Sequence, residues 1–168
     1  MKAINKLLKT LTLLCAFLLT ACAARQPIGP QLVDHAFGFD TRFDSKDSEV
    51  LAFKYGLGGT PQIQDPFWKD QTDARQFTNI NGVMPLGETL YVKWRTKGTN
   101  ETFEDLVNLK PLLPADMNRQ WIYFVVQASQ LFVYLSDLTK KKPINEPTVG
   151  PFRVQLYPTR QIYPLTSQ

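Results

Sequence analysis

Residues 121–136 read WIYFVVQASQLFVYLS, and this stretch decides the fold. It holds two apolar runs, 121–126 and 131–136, that are rich in the β-branched and aromatic residues that strands prefer. The segment 127–130 between them predicts a tight connection, so that the two runs pair as an antiparallel hairpin. Because both runs are almost continuously apolar, we expect two central strands that are buried on both faces.

A second hairpin is predicted from residues 90–95 (LYVKWR) and 102–109 (TFEDLVNL), joined by the turn 97–100 (KGTN). A four-residue turn sets Trp94 opposite Phe103, which makes a favourable aromatic pair across the strands. The same register sets a lysine opposite a glutamate at the next position, a second favourable pair.

One pair conflicts with this register. Leu90, Val92 and Trp94 alternate and should face the core, yet Val92 falls opposite Asp105. A carboxylate in that position is tolerated if it lies at the margin of the sheet, or if a bulge turns it away from the core.

Shorter strand signals surround these hairpins. Alternating aromatic residues predict a half-buried strand over 35–43, and another strand is predicted over 50–55. Prolines limit the C-terminal part to short edge strands, at 154–157 and 162–163. Residues 60–82 are predicted to form a long irregular loop, a feature that is often functional.

Many short strands separated by turn signals predict an all-β fold. We expect an antiparallel β-sandwich, immunoglobulin-like or transthyretin-like, that forms a single domain over residues 33–168 with a proline-rich C-terminal tail.

The N-terminal residues predict export. Three lysines precede the apolar run 11–19, which is the layout of a signal peptide, and Leu19-Thr20-Ala21-Cys22 fits a lipobox. Ordinary signal cleavage near the alanines is one alternative. A permanent membrane anchor is another, but the uncharged run 10–24 has 15 residues where a spanning helix needs about 20.

The lipobox predicts cleavage of a signal peptide over residues 1–21 and lipid attachment at Cys22. Residues 22–32 then form a short lipidated tether, and acyl chains hold the domain on a membrane. In bacterial lipoproteins an Asp after the cysteine retains the protein in the inner membrane. Ala23 at this position favours the outer membrane, with the domain facing the periplasm.

Charge gives no argument for nucleic-acid binding. The full chain has 19 Lys and Arg against 15 Asp and Glu, but three of the lysines leave with the signal peptide. The remaining 16 basic and 15 acidic residues leave the mature chain nearly neutral, so we expect no nucleic-acid partner.

The residues of enzyme and metal sites are scarce. Lipid on Cys22 leaves no free thiol in the mature chain, and His35 is the only histidine. No serine lies in a nucleophile motif, and we expect His35 to be a structural or surface residue. We therefore predict no catalytic activity and no cofactor. The carboxylates of 44–49 (DSKDSE) do not match a calcium loop, so a solvated turn is expected rather than a metal site.

Two segments are the candidates for binding a protein partner. The first is the polar turn 44–49. The second is the long loop 60–82, which carries large aromatic side chains of the kind that is enriched at protein interfaces. The predicted contact residues are Asp44, Asp47, Glu49, Phe67 and Trp68. The alternative for the two aromatic residues is that they close the edge of the sandwich.

The cluster Lys140-Lys141-Lys142 admits two interpretations. It forms a solvated turn, or it contacts anionic lipid, which attracts each lysine by about 1 kcal/mol near the surface.

The lipobox and residues 82–97 (GVMPLGETLYVKWRTK), continued by FEDLV and QLFVYL, carry a resemblance. The chain resembles small proteobacterial lipoproteins, some of which look like immunity proteins encoded beside type VI secretion lipase effectors. The resemblance implies an anchored periplasmic protein that sterically blocks a secreted toxic effector of the lipase or phospholipase class. The alternative is a structural or assembly lipoprotein of a secretion system or of the cell envelope. Among functional residues, the resemblance extends to Cys22 alone.

Overall fold

Two β-sheets pack face to face in the computed structural model, which describes residues 31–57, 60–64 and 76–165. The predicted lipidation site Cys22 and the predicted contact residues Phe67 and Trp68 lie outside the described residues. One sheet has the strand order β4-β1-β7-β8-β9, and the other has the order β3-β2-β5-β6. The strands are β1 Leu32–Asp40, β2 Ser48–Leu57, β3 Thr60–Gln64, β4 Phe77–Pro85, β5 Thr89–Thr96, β6 Thr102–Asn108, β7 Gln120–Gln127, β8 Gln130–Asp137 and β9 Thr159–Tyr163. This architecture confirms the predicted all-β sandwich.

The apolar hairpin that decides the fold is β7–β8, at the centre of the five-stranded sheet. Its strands pair without a break from Gln120↔Asp137 to Gln127↔Gln130, so the turn is tighter than predicted and consists of Ala128 and Ser129. The sheet face of β7 that meets the opposite sheet joins a core of stacked aromatic rings. The Phe39 and Phe124 ring centroids lie 4.6 Å apart there.

The β5–β6 hairpin has the predicted register, with Trp94 opposite Phe103 and Val92 opposite Asp105. The core-facing side chains of β5 are fully buried, as expected. The carboxylate of Asp105 opposite Val92 is tolerated because β6 is an edge strand, so that Asp105 lies at the margin of the sheet. There the Asp105 carboxylate accepts hydrogen bonds from the Tyr163 hydroxyl and from the Leu106 N–H, both at 2.8 Å.

The predicted strand over 35–43 was wrong in its end and in its exposure. β1 ends at Asp40, and a single helical turn, α1 (Thr41–Asp44), follows. The Asp40 carboxylate accepts a hydrogen bond from the Arg42 N–H and caps this turn, which stops the strand. Every residue of 35–40 is buried, because β1 lies between β4 and β7 and pairs in parallel with β7.

Two other expectations are corrected. The region predicted as an irregular loop, 60–82, contains β3 and much of β4, whose polar composition hides them from a search for apolar alternation. Residues 154–157 do not form an edge strand. A 3-10 helix, Phe152–Val154, lies there and buries Val154 against the outer face of β7. The short edge strand predicted at 162–163 is part of β9.

The sandwich has two distinct ends. β1 and β7 run in parallel and β8 returns antiparallel, so Leu32, Gln120 and Asp137 share one end, which we call the N-terminal end. Asp40 and Gln127 lie at the opposite end, together with the beginning of β2 at Ser48; we call this the loop end. Among the described residues, no helix has the length and apolar character needed to cross a membrane.

Candidate functional site

A groove of about 780 Å³ lies at the loop end of the sandwich. Its walls are the segment 43–48 after β1, the β5–β6 turn with its flanking strand ends, and residues 126–129 of the β7–β8 turn. Residues 44–48 of the predicted binding turn 44–49 therefore form one wall of the groove, and Glu49 lies outside its lining.

Backbone hydrogen bonds hold this wall in place. The Ser45 N–H donates to the Thr41 carbonyl, which closes the helical turn. The Lys97 N–H donates to the Asp47 carbonyl at 2.8 Å, and the Lys97 Nζ donates to the Lys46 carbonyl at 2.8 Å. Because both walls are tied together, the groove is preformed rather than assembled by a partner.

The three predicted carboxylates of this turn have different roles. Asp44 is partly buried and accepts hydrogen bonds from the Tyr123 hydroxyl at 2.8 Å and from the Phe152 N–H at 2.6 Å. Glu49 forms an ion pair with Arg95. Asp47 is exposed, and its side chain makes no hydrogen bond or ion pair with any residue that the structure describes. Of these three carboxylates, that of Asp47 is therefore the one left for contact with a partner.

A second feature adjoins the groove, and we call it the aromatic–arginine cluster. It consists of Asp40, Arg42, Phe43, Phe77, Phe152 and Arg153. The Phe43 and Phe152 rings stack with centroids 5.5 Å apart, although each ring is about half exposed. The Arg42 guanidinium lies 4.2 Å from the centroid of the Phe77 ring. Phe43 belongs both to the cluster and to the groove wall, so the two features form one surface.

A buried carboxylate organises the cluster. Asp40 is 3% exposed, and it accepts hydrogen bonds from Arg42 Nε at 2.8 Å and from Arg153 Nε at 2.9 Å. The hydrogen bonds from Arg42 hold the pKa of the Asp40 carboxyl below its usual value. The carboxylate therefore stays ionised and fixes both guanidinium groups beside the phenylalanine rings.

A small pocket of about 80 Å³ opens between Phe77, Trp121 and Arg153. The Trp121 Nε1 is buried and has no hydrogen-bond partner among the described residues. An unpaired buried donor is costly in free energy. The pocket thus extends the same surface, and the indole with the unpaired N–H is one of its lining residues.

His35 has a structural environment. Its side chain is 1% exposed, with Nε2 at 2.8 Å from the Tyr55 hydroxyl and Nδ1 at 2.9 Å from the Val33 carbonyl oxygen. Burial lowers the pKa of His35 and raises that of Tyr55. Within the described ranges, no group of three or more His, Cys, Asp or Glu side chains could hold a metal ion.

The sequence pointed to the turn 44–49 but not to the cluster. Arg153 and Asp40 are 113 positions apart, so no local pattern could associate them. The only local signal was the capping residue Asp40 two positions before Arg42, which marks a helical turn.

Fold and site together define a two-sheet β-sandwich with a preformed groove and an exposed aromatic–arginine cluster at one end. Comparison with protein-family models, with curated proteins and with solved structures finds no match.

Proposed function

We propose that this chain is a periplasmic lipoprotein that is anchored to the outer membrane through Cys22 and binds a protein partner with its loop end. The partner is a secreted toxic effector of the lipase or phospholipase class, and the chain acts as its immunity protein. The observation that carries the partner-binding part of this proposal is the exposed aromatic–arginine cluster beside a rigid groove.

The composition of the cluster supports binding to a protein. Aromatic residues and arginine are enriched at the energetic centres of interfaces. Three phenylalanines, Phe43, Phe77 and Phe152, are 49–55% exposed within this one surface. Soluble domains seldom group exposed aromatic rings without a function for the patch.

The fixed geometry of the cluster supports tight binding. Arginine loses side-chain entropy when a partner immobilises it, by about 0.5–1.5 kcal/mol for a flexible side chain. Arg42 and Arg153 are already held by Asp40 in the free protein. Most of the side-chain entropy of these two arginines is therefore lost when the protein folds, and little remains to be lost when a partner binds.

The orientation of the sandwich suits an inhibitor at a membrane. Chain entry and loop end lie at opposite ends of β1, whose nine residues span about 30 Å. An anchor on Cys22 therefore directs the groove away from the lipid. An effector that approaches the membrane would meet the groove first, and occupation of its active-site cleft by the loop end would block it sterically.

The test is a pull-down with the mature chain from lysate of the bacterium that encodes it, followed by mass spectrometry. We expect one secreted hydrolase, which loses activity on mixing with the protein. The double variant Phe43→Ala, Phe152→Ala should lose capture and inhibition. Leu106→Ala, which removes an exposed apolar side chain of similar size on β6, should retain both.

Two results would contradict the proposal. Capture of only secretion-apparatus or envelope proteins would indicate the structural or assembly role instead. Equal loss of inhibition in the Leu106→Ala control would show that the loop end does not define the binding site.

A further inference from the structure

Lys140, Lys141 and Lys142 lie at the N-terminal end of the sandwich, beside the point where the chain enters the fold. The Leu138 N–H donates to the Arg119 carbonyl at 3.0 Å, and the Arg119 N–H donates to the Asp34 carbonyl of β1 at 2.7 Å. The lysines begin two residues after Leu138. They are therefore at the end opposite to the groove and the aromatic–arginine cluster.

The charge of this segment is mainly positive. Lys140 forms an ion pair with Asp137 at 3.1 Å, and the Lys142 Nζ donates to the Thr148 hydroxyl at 3.0 Å. Lys141 is exposed and has no ion-pair partner among the described residues. In residues 140–150 the single carboxylate is that of Glu146, so a net positive charge faces the solvent.

Large apolar side chains lie exposed among these lysines. Ile144 is 101% exposed, Leu156 is 69% exposed and Val149 is 48% exposed. The Lys142 N–H donates to the Leu156 carbonyl at 2.9 Å, which holds the two parts of the segment side by side. Lys141, Lys142, Ile144 and Leu156 line one open groove of about 420 Å³.

We infer that this basic–apolar surface, formed by Lys140–Lys142, Ile144, Val149 and Leu156, docks on an anionic phospholipid bilayer. Lysines adjoining exposed aliphatic side chains match the two layers of a membrane interface, with phosphate groups outside and acyl chains beneath. A protein partner would need a complementary acidic surface, whereas an anionic bilayer supplies negative charge over any area.

The position of the surface supports a bilayer as its occupant. Between the proposed lipid on Cys22 and the first described residue, Gln31, the chain can extend by at most about 30 Å. This step rests on the proposed lipid anchor. In this arrangement the N-terminal end of the domain lies against the lipid, and the domain is not free to rotate on its tether. The loop end therefore points away from the membrane.

The experiment separates the surface from the anchor. The mature chain with Cys22→Ser keeps every described residue, and its binding to sedimented vesicles is measured. Vesicles that contain phosphatidylglycerol should bind it, and vesicles of pure phosphatidylcholine should not. Binding should weaken in high salt, because salt screens exposed charges.

Two variants test the surface. Lys141→Gln with Lys142→Gln should lower the partition coefficient by about fivefold for each lysine. Ile144→Ser should lower the partition coefficient by about fivefold to tenfold. Because Ile144 is fully exposed, this substitution should not unfold the domain, and a loss of binding would reflect the lost contact with lipid. The matched control is Lys46→Gln with Lys97→Gln, which makes the same change of charge at the loop end and should leave partition unchanged.

The inference is overturned if the protein fails to bind phosphatidylglycerol vesicles, if it binds neutral vesicles equally, or if the control variant loses as much binding. Failure of the anchor is distinguished by labelling cells with radioactive palmitate. Absence of label on Cys22 would contradict the proposed lipoprotein while leaving the vesicle result intact.

Discussion

Replacement of Asp40 by Asn tests whether one buried charge organises the loop end. The carboxylate is 3% exposed and accepts five N–H groups, from the backbone and side chain of Arg42 and from the side chain of Arg153. Removing one partner of a fully buried ion pair costs about 3–5 kcal/mol. The two arginine side chains are 38% and 43% exposed, so water takes over part of their lost interaction. We therefore expect Asp40→Asn to lower the free energy of unfolding by about 2–3 kcal/mol at pH 7.

Urea denaturation of the mature chain measures this change, with equal slopes required for both proteins. Asp116→Asn is the matched control. Asp116 is an exposed turn residue that accepts only the Asn118 N–H in the described part of the chain, and its loss should cost about 0.5 kcal/mol or less.

The pH dependence provides a second check. Because the hydrogen bonds from Arg42 depress the folded-state pKa of Asp40, its stabilisation is complete above the unfolded value near 3.8 and is lost as the pH falls further. The difference between the wild-type protein and the Asp40→Asn variant should shrink below about pH 4. Equal stability at pH 7, or an undiminished difference at pH 3, would refute the role assigned to this carboxylate.

Three further changes examine the core. Burial lowers the pKa of His35, so as the pH falls the imidazole is protonated in the unfolded chain before it is protonated in the folded protein. Below pH 6.5 the free energy of unfolding should therefore decrease by up to about 1.4 kcal/mol per pH unit. Urea titrations of His35→Gln should lack this dependence on pH. In Gly38→Ala the new Cβ would collide with the carbonyl oxygen of Thr78 on β4, and we expect a loss of about 1–3 kcal/mol in calorimetry. Trp94→Phe removes an Nε1 donor that bonds the β7–β8 turn at 2.8 Å, and thermal unfolding should show a loss of about 1–3 kcal/mol. A flat pH profile, or wild-type stability in either variant, would contradict the corresponding contact.

Local pattern was sufficient for the pairing of the two hairpins. It was wrong for the burial of β8, in which buried residues mostly alternate with partly exposed ones, so that only β7 is buried on both faces as predicted. In β5–β6 the turn length alone gave the correct register, because alternate side chains face opposite sides of a strand and a slip by one residue would expose Trp94. The strands β3 and β4 escaped prediction for the converse reason. A sequence such as TPQIQ, β3, offers little apolar alternation, and the strand exists because its backbone pairs with β2.

The misjudged exposure of β1 has a long-range cause. The alternation of Phe37 and Phe39 with Ala36 and Gly38 is the usual pattern of a strand with one solvated face. Here the small residues are buried as well, since β1 is an inner strand and Gly38 lets the backbone of β4 approach closely. The small side chains on the outer face of β1 therefore reflect close packing. The sequence pattern alone does not distinguish such packing from exposure to solvent.

Asp105 links the sequence pattern to the limits of the sheet. Its carboxylate accepts a hydrogen bond from the Leu106 N–H, a backbone donor on the edge strand β6. It also accepts one from the Tyr163 hydroxyl on β9, at the edge of the opposite sheet. Exposed edge strands recruit other strands, and an inward-pointing charge is a known protection against such pairing. Leu106 is 65% exposed at this edge, so pairing with a second copy would be favoured if its N–H were available. For a protein concentrated on a membrane surface, as proposed here, that protection matters more than the small packing loss opposite Val92. The one residue that contradicts the apolar pattern of the hairpin is thus explained by its position at the end of the sheet.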